Sequence, residues 1–146
     1  MVKRGFSLIE ILVALALFGL LSALTFSSLL GLFRTNRLSN LEAEAALVAK
    51  GYLEQAVRNA TYSPANGTLQ LPSLNDSRGF QVSLAAGGRL PGNDVSLSSC
   101  TQNPSGWSCT VSCQKNGTSV PCPLVTVQLT LTRGGRTQVF YREWSP

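Results

Sequence analysis

The sequence predicts an α+β fold in which one long N-terminal helix, transmembrane in its first half, packs its second half on an antiparallel β-sheet. Three observations predict this fold class. A nearly unbroken apolar run covers residues 6–33, residues 34–60 continue it with apolar positions at helical spacing, and residues 68–146 change to an alternating pattern. The first two patterns are typical of helices and the third is typical of strands.

The apolar run is long enough to cross a membrane. Residues 11–33 carry no charge, and about 18–20 apolar residues are enough for a helix to cross a bilayer core of roughly 30 Å. In hydrocarbon a single segment satisfies its backbone polar groups only as a helix. Because Lys3 and Arg4 precede the run, we expect a cytoplasmic N-terminus and a C-terminus on the other side of the membrane.

Glu10 is the one charged residue within this run. A carboxylate in a membrane helix costs about 2.5–3.5 kcal/mol on insertion scales, so a plain anchor would more simply lack it. Its side chain either reaches the headgroup region or has a functional partner. For the N-terminus as a whole, the alternatives are a Sec signal peptide, which the length of the run and Glu10 disfavour, and an uncleaved anchor.

The segment Lys3-Arg4-Gly5-Phe6-Ser7-Leu8-Ile9-Glu10 resembles the class III signal of type IV pilins and of the pseudopilins of type II secretion. Residues 11–18 are similar to those of minor pilins and pseudopilins in particular. In that family a membrane-embedded aspartyl peptidase cuts after the glycine and methylates the new N-terminal residue. The resemblance therefore implies cleavage between Gly5 and Phe6, N-methylation of Phe6, and an assembly role for Glu10.

The resemblance also implies a pilin-like division of the chain. Residues 1–5 are the leader peptide, residues 6–33 the transmembrane and assembly helix, and residues 34–146 a periplasmic pilin-like domain with its helix at 34–60 and its β-sheet region at 68–146. Expected partners are other pilin or pseudopilin subunits, the prepilin peptidase, an inner-membrane assembly platform and the membrane. The expected location is the bacterial inner membrane, crossed once, and then a periplasmic or cell-surface filament.

Cleavage at this point gives Glu10 a partner. It creates an ammonium on Phe6, and an ammonium and a carboxylate attract strongly in low dielectric although each alone is costly there. Glu10 lies four residues after Phe6, on the same helical face. We therefore expect Glu10 to pair with the N-terminus of its own chain or of a neighbouring subunit. The second pairing would set the axial register in a filament.

Residues 34–60 are predicted to continue the helix into water, and the loop at residues 59–67 ends it. The apolar residues of this helix form one stripe that must be covered: Leu38, Leu41, Ala45, Val48, Ala49, Tyr52, Leu53, Ala56 and Val57.

Six strands are predicted at residues 68–71, 80–84, 94–100, 107–113, 124–132 and 137–144. The last two are joined by Arg133-Gly134-Gly135-Arg136, a two-glycine turn that predicts an antiparallel hairpin. Most of residues 71–92 is predicted as loop with one modest strand.

Four cysteines, Cys100, Cys109, Cys113 and Cys122, lie in the part predicted to be outside the inner membrane, where disulfides form. If residues 107–113 are one strand, Cys109 and Cys113 are roughly 13 Å apart, too far for one disulfide. Of the two remaining connectivities we expect Cys100–Cys109 with Cys113–Cys122, because each bond closes a short stretch. A zinc site is the alternative, although the sequence has no histidine and no C-x2-C spacing.

The sequence gives little support for catalysis. It has no histidine, and only Asp76, Asp94 and Glu143 are acidic beyond the long helix. No nucleophile has a basic partner at a recognisable spacing. We predict no enzymatic activity, no catalytic residues, no metal and no cofactor.

The net charge of +5 is spread thinly along the chain, as on an ordinary solvated surface. Arg133, Arg136 and Arg142 near the terminal hairpin are the candidate contacts for DNA or another anion, because phosphate binding needs a cluster of cations. DNA is therefore a weak candidate partner.

These observations predict a minor pilin or pseudopilin of a type IV pilus or type II secretion-like filament, assembled through its N-terminal helix. A major, shaft-forming subunit is the alternative within the family. From a different class, the alternative is a membrane-anchored periplasmic binding module that does not polymerise. That alternative predicts that Glu10 can be replaced by Leu without loss of function.

Overall fold

The computed structural model describes residues 8–92 and 94–146 of the chain. It contains one long helix, α1 (Leu8–Asn59), followed by strands that form antiparallel sheets, so the predicted α+β class is confirmed. The chain divides into two compact units, Met1–Leu41 and Glu42–Pro146. The strands are β1 (Thr61–Ser63), β2 (Thr68–Pro72), β3 (Gln81–Arg89), β4 (Ser98–Ser99), β5 (Thr101–Asn103), β6 (Gly106–Thr110), β7 (Cys113–Lys115), β8 (Thr118–Val120), β9 (Leu124–Arg133) and β10 (Arg136–Trp144).

Helix α1 extends over 52 residues that include no proline. Its last backbone bond runs from the Ala60 N–H to the Ala56 carbonyl over 2.8 Å, and Ser63-Pro64 follows. Proline disfavours the helical conformation in the residue before it, so Ser63 is restricted to extended conformations, and the chain has already left the helix for β1 at Thr61. The loop predicted at residues 59–67 is present only in part, because β1 forms within it.

Within the unit Glu42–Pro146, α1 buries the apolar stripe that its sequence predicts. Its buried residues recur at helical spacing and belong to one core cluster with the strands: Ala45, Val48, Ala49, Tyr52, Leu53 and Ala56. Tyr52 is 2% exposed, and its hydroxyl donates a hydrogen bond to the Pro72 carbonyl at the end of β2 over 3.0 Å. The buried phenol is therefore satisfied, and the bond links the helix to the first sheet.

Burial raises the pKa of the Tyr52 phenol above its ordinary value of 10.0. Because the pKa is higher in the folded chain than in the unfolded chain, the neutral phenol contributes its full stability below about pH 10, and this contribution is lost as the pH rises further. We expect Tyr52→Phe to lower the free energy of unfolding by about 1 kcal/mol at pH 8, because the variant lacks the hydrogen bond to the Pro72 carbonyl.

The same variant should lose less stability than the unaltered chain between pH 8 and pH 11. Urea denaturation of the full chain in detergent at both pH values measures the two effects. Tyr141→Phe is the matched control for the loss of a phenol hydroxyl, because Tyr141 is 62% exposed. Equal alkaline losses in the Tyr52→Phe variant and the unaltered chain would contradict the assignment.

The strands form two four-stranded sheets, ordered β1-β2-β6-β5 and β10-β9-β3-β4, and a separate hairpin of β7 and β8. Strand β9 is central, since it pairs along its length with β10 on one side and with β3 on the other. The predicted hairpin at Gly134-Gly135 is confirmed, and both glycines have positive φ. The predicted alternation of β9 is also observed, because its apolar residues are buried: Val125, Val127, Leu129 and Leu131.

Some predicted strands were wrong in place or extent. Residues 94–100 form only the two-residue β4, and residues 107–113 split into β6 and the start of β7. The strand predicted at residues 80–84 is present as the first part of β3, whereas the loop predicted after it was wrong, because β3 continues to Arg89. Three short strands that were not predicted, β1, β5 and β8, are also present.

The glycines in β3 explain why the second half of this strand escapes a sequence pattern. A Cβ atom at Gly87 would overlap the Ser96 carbonyl, and one at Gly88 would overlap the sulfurs of Cys113 and Cys122. These residues therefore allow close packing within a strand whose pairing with β9 is continuous. Ser96 approaches Gly87 without pairing with it, and only Ser98 and Ser99 of residues 94–100 pair with β3.

Candidate functional site

The first part of α1 is apolar on every side. All side chains of residues 8–37 are exposed in the isolated chain, and α1 is the one helix in the described part that is long and apolar enough to cross a membrane. Its exposed large apolar residues include Leu8 at 75% and Phe18 at 70%. A helix that is hydrophobic all round needs hydrocarbon or other apolar helices around it.

Hydroxyl side chains within this segment bond to their own backbone. Thr25 donates to the Ser22 carbonyl over 2.9 Å, and Ser28 donates to the Leu24 carbonyl over 3.1 Å. A hydroxyl that bonds to a carbonyl three or four residues earlier satisfies its hydrogen-bonding capacity inside the helix. These residues are thus compatible with an apolar environment and do not require an external partner.

Glu10 lies in the first described turn of α1. A carboxylate near a helix N-terminus is stabilised by the helix dipole, but that contribution is smaller than the cost of an unpaired charge in hydrocarbon. The predicted cleavage site between Gly5 and Phe6 lies outside the described residues. The pairing of Glu10 with the N-terminus of Phe6 therefore stays a prediction.

The disulfides in the structure are Cys100–Cys109 and Cys113–Cys122, the pairing expected from the spacing. The first joins β6 to the residue that precedes β5, and the second closes the β7–β8 hairpin. Cys109, Cys113 and Cys122 are buried within the core. The first disulfide therefore ties the residue before β5 to β6, and the second holds the β7–β8 hairpin together, so both have a structural role.

Sequence reasoning missed the support beneath the second disulfide. Gly88 of β3 faces both sulfurs so closely that no Cβ atom fits there. The backbone N–H of Cys122 donates to the Tyr62 hydroxyl over 3.2 Å, so β1 holds the same disulfide from another direction. The Gly87-Gly88 pair within an otherwise regular strand was the signal that could have indicated a close approach.

The three candidate arginines do not form one cluster. Arg133 and Arg136 face each other across the β9–β10 turn, whereas Arg142 lies six residues further along β10, roughly 20 Å away at strand spacing. Arg133 donates to the Glu44 carboxylate over 2.9 Å and lies 5.4 Å from the Phe80 ring centroid. Its charge is therefore already engaged by the helix and by an aromatic ring.

Metal-ligand geometry is not found in the described part of the chain. Among residues 8–92 and 94–146, no group of three or more His, Cys, Asp or Glu side chains is placed to hold a metal ion. In these same residues every cysteine is in a disulfide.

Residues 1–26 match the family model for the prokaryotic N-terminal methylation motif. This motif is the class III prepilin signal, and it matches the type IV pilin-like family that the N-terminal segment resembles. No curated protein and no solved structure gives a significant match to the chain. The N-terminus thus carries a prepilin-type methylation motif, and the long apolar helix that follows fits a membrane-anchored chain.

Proposed function

We propose that this prepilin-type protein is a minor pilin or pseudopilin of a type IV pilus or type II secretion-like filament. One observation carries the proposal: the methylation motif at residues 1–26 opens a helix whose residues 8–37 are all exposed. Before assembly, hydrocarbon would cover this helix. After assembly, the helices of neighbouring subunits would cover it, since apolar helices pack closely when they leave lipid.

The leader of residues 1–5 is removed by the prepilin peptidase, and residues 6–33 anchor the mature chain in the inner membrane. Glu10 then pairs with the ammonium of Phe6 in a neighbouring subunit. In low dielectric an unpaired carboxylate and an unpaired ammonium are both costly. A subunit that docks at the wrong height leaves both unpaired, so the pair selects the correct axial register on the assembly platform.

Residues 34–146 form the periplasmic domain that the filament displays. The two disulfides support this location, because such bonds form outside the cytoplasm. The subunit contributes structure and no chemistry of its own. DNA is a weaker partner than other pilin subunits, since Glu44 already engages Arg133, one of the three candidate arginines.

The mass of the mature protein tests the proposal. We expect a chain that starts at N-methylated Phe6 in membranes that contain prepilin peptidase, and the full leader in membranes that lack it. Intact-mass and N-terminal peptide measurements distinguish the two forms. Gly5→Leu should keep the leader even with the peptidase, whereas Gly19→Leu, within the apolar run, should be processed normally.

Retention of Met1 to Gly5 in both membranes would contradict the proposal and favour a plain membrane anchor. The abundance of the protein in purified filaments then separates a minor subunit from a shaft-forming one.

A further inference from the structure

A groove of about 570 Å³ lies on the surface of α1 where the apolar run ends. Its lining residues are apolar or small toward the N-terminus and basic toward the C-terminus: Ser27, Leu30, Gly31, Phe33, Arg34 and Arg37. All of them belong to the unit Met1–Leu41, so the groove lies on one helix. It joins an apolar surface to two cations.

The two arginines of the groove lie side by side and have no partner in the described part of the chain. Arg34 and Arg37 are three residues apart in α1, so they are neighbours on one helical face. Neither makes a hydrogen bond or an ion pair with any residue in the ranges 8–92 and 94–146. No carboxylate is among the residues that line the groove. The pair is therefore available to an anion.

The place of this pair along α1 identifies what surrounds the groove. Residues 11–33 are uncharged, and at 1.5 Å per residue they extend about 35 Å, close to the thickness of a bilayer hydrocarbon core. In the proposed membrane anchor, Arg34 and Arg37 therefore lie at the lipid headgroups on the side away from the N-terminus. Side chains in a helix lean toward its N-terminus, so both arginines lean back toward the apolar run.

The groups at this depth select the ligand. Lipid phosphates are the anions of the headgroup region, and a guanidinium can form two parallel hydrogen bonds with phosphate oxygens. A Cβ atom at Gly31 would meet nothing within 4 Å, so there is open space beside the arginines. Leu30 and Phe33 add apolar surface that a lipid acyl chain can contact. Free phosphate would use the arginines and leave this apolar surface uncovered.

We propose that Arg34 and Arg37 bind the phosphate of an anionic phospholipid in the membrane leaflet away from the N-terminus. The glycerol and the first acyl carbons of the lipid lie over Gly31. Lipids with a net negative charge are preferred, because a zwitterionic lipid carries a cation near its phosphate that the arginines repel. The proposal rests on the proposed membrane anchor, and it is independent of leader cleavage and of filament assembly.

Native mass spectrometry tests the proposal on the full chain in detergent micelles that contain equal amounts of phosphatidylglycerol and phosphatidylcholine. We expect an adduct with one lipid, in which phosphatidylglycerol is about fivefold or more in excess. The double variant Arg34→Gln, Arg37→Gln should reduce this excess to roughly nothing, because both cations are gone. Arg58→Gln is the matched control, since Arg58 is an exposed arginine in the last turn of the same helix.

Gly31→Leu tests the groove without changing any charge. It keeps both arginines and fills the open space beside them, so we expect it to lower the amount of lipid adduct about threefold or more. Gly19→Leu lies in the same apolar run but outside the groove, and it should leave the adduct unchanged. Leucine is favoured over glycine in a helix, so both variants should keep the helix intact.

Three results would overturn the proposal. One is an equal amount of the two lipids on the unaltered chain, and another is an unchanged excess of phosphatidylglycerol in the double arginine variant. The third is loss of the lipid adduct when millimolar inorganic phosphate is added first, which would assign the arginines to a free anion. None of these results concerns the mass of the mature protein. A retained leader would contradict the proposed function and leave the lipid preference intact, so the two failures are distinct.

Discussion

Glu10→Leu should reduce the incorporation of the protein into filaments at least tenfold while leaving its amount in the membrane unchanged. A tenfold loss corresponds to about 1.4 kcal/mol, which is modest beside the cost of leaving one member of a buried ion pair without its partner. The leucine removes an insertion cost, so the anchor itself is not weakened. Quantitative immunoblotting of sheared filaments and of membranes measures both quantities.

Glu10→Gln is the more exacting variant, because it keeps the size and polar character of the side chain and removes the charge. We expect it to lose nearly as much incorporation as Glu10→Leu. Glu54→Gln is the matched control, since Glu54 is an exposed carboxylate of α1 outside the apolar run and should assemble normally. Normal incorporation of both Glu10 variants would contradict the assembly role and favour a binding module that does not polymerise.

Gly88→Ala should lower the free energy of unfolding by about 2–3 kcal/mol, near the upper end for overpacking in a core. The added Cβ atom would overlap the sulfurs of both Cys113 and Cys122. These sulfurs are buried and bonded to each other, so neither can move aside alone. Denaturant unfolding of the full chain in detergent measures the loss.

Gly51→Ala is the matched control for this substitution. A Cβ atom at Gly51 meets nothing within 4 Å, and alanine is favoured over glycine in a helix by about 1 kcal/mol. We therefore expect Gly51→Ala to be stabilising. A double-mutant cycle adds a second test, because Gly88→Ala should cost little when Cys113 and Cys122 are both alanine. Equal costs with and without the disulfide would contradict the proposed overlap.

The sequence predicts α1 and the β9–β10 hairpin correctly because both depend on local patterns. The helix follows from the spacing of its apolar residues, and the hairpin follows from Gly134-Gly135 between two alternating runs. The second half of β3 escapes prediction, because its glycines are typical of loops in the local sequence. These glycines are required because Ser96 and the Cys113–Cys122 disulfide leave no room for a Cβ atom. Only the tertiary structure places these groups beside the glycines.

The residues of the candidate site also differ in whether the sequence alone reveals them. Glu10 is recognisable from the sequence, since a charge within an apolar run is conspicuous without any structure. The three arginines are close in sequence, but the extended strand separates Arg142 from the other two. Tyr62 and Cys122 lie far apart in the chain, and only the fold brings the Tyr62 hydroxyl to the Cys122 backbone. Clusters that depend on tertiary contacts are therefore the part that sequence patterns miss.

The apolar surface of α1 has a consequence for the choice of neighbours. Since residues 8–33 are exposed and, apart from Glu10, uncharged around the whole circumference, only Glu10 gives this segment a charged side. In a bundle, the proposed pair would fix the height of the subunit and turn Glu10 toward the neighbour that supplies the ammonium. The rest of the apolar surface would fit beside differently arranged neighbours, and further discrimination among partners would depend on the surface of Glu42–Pro146.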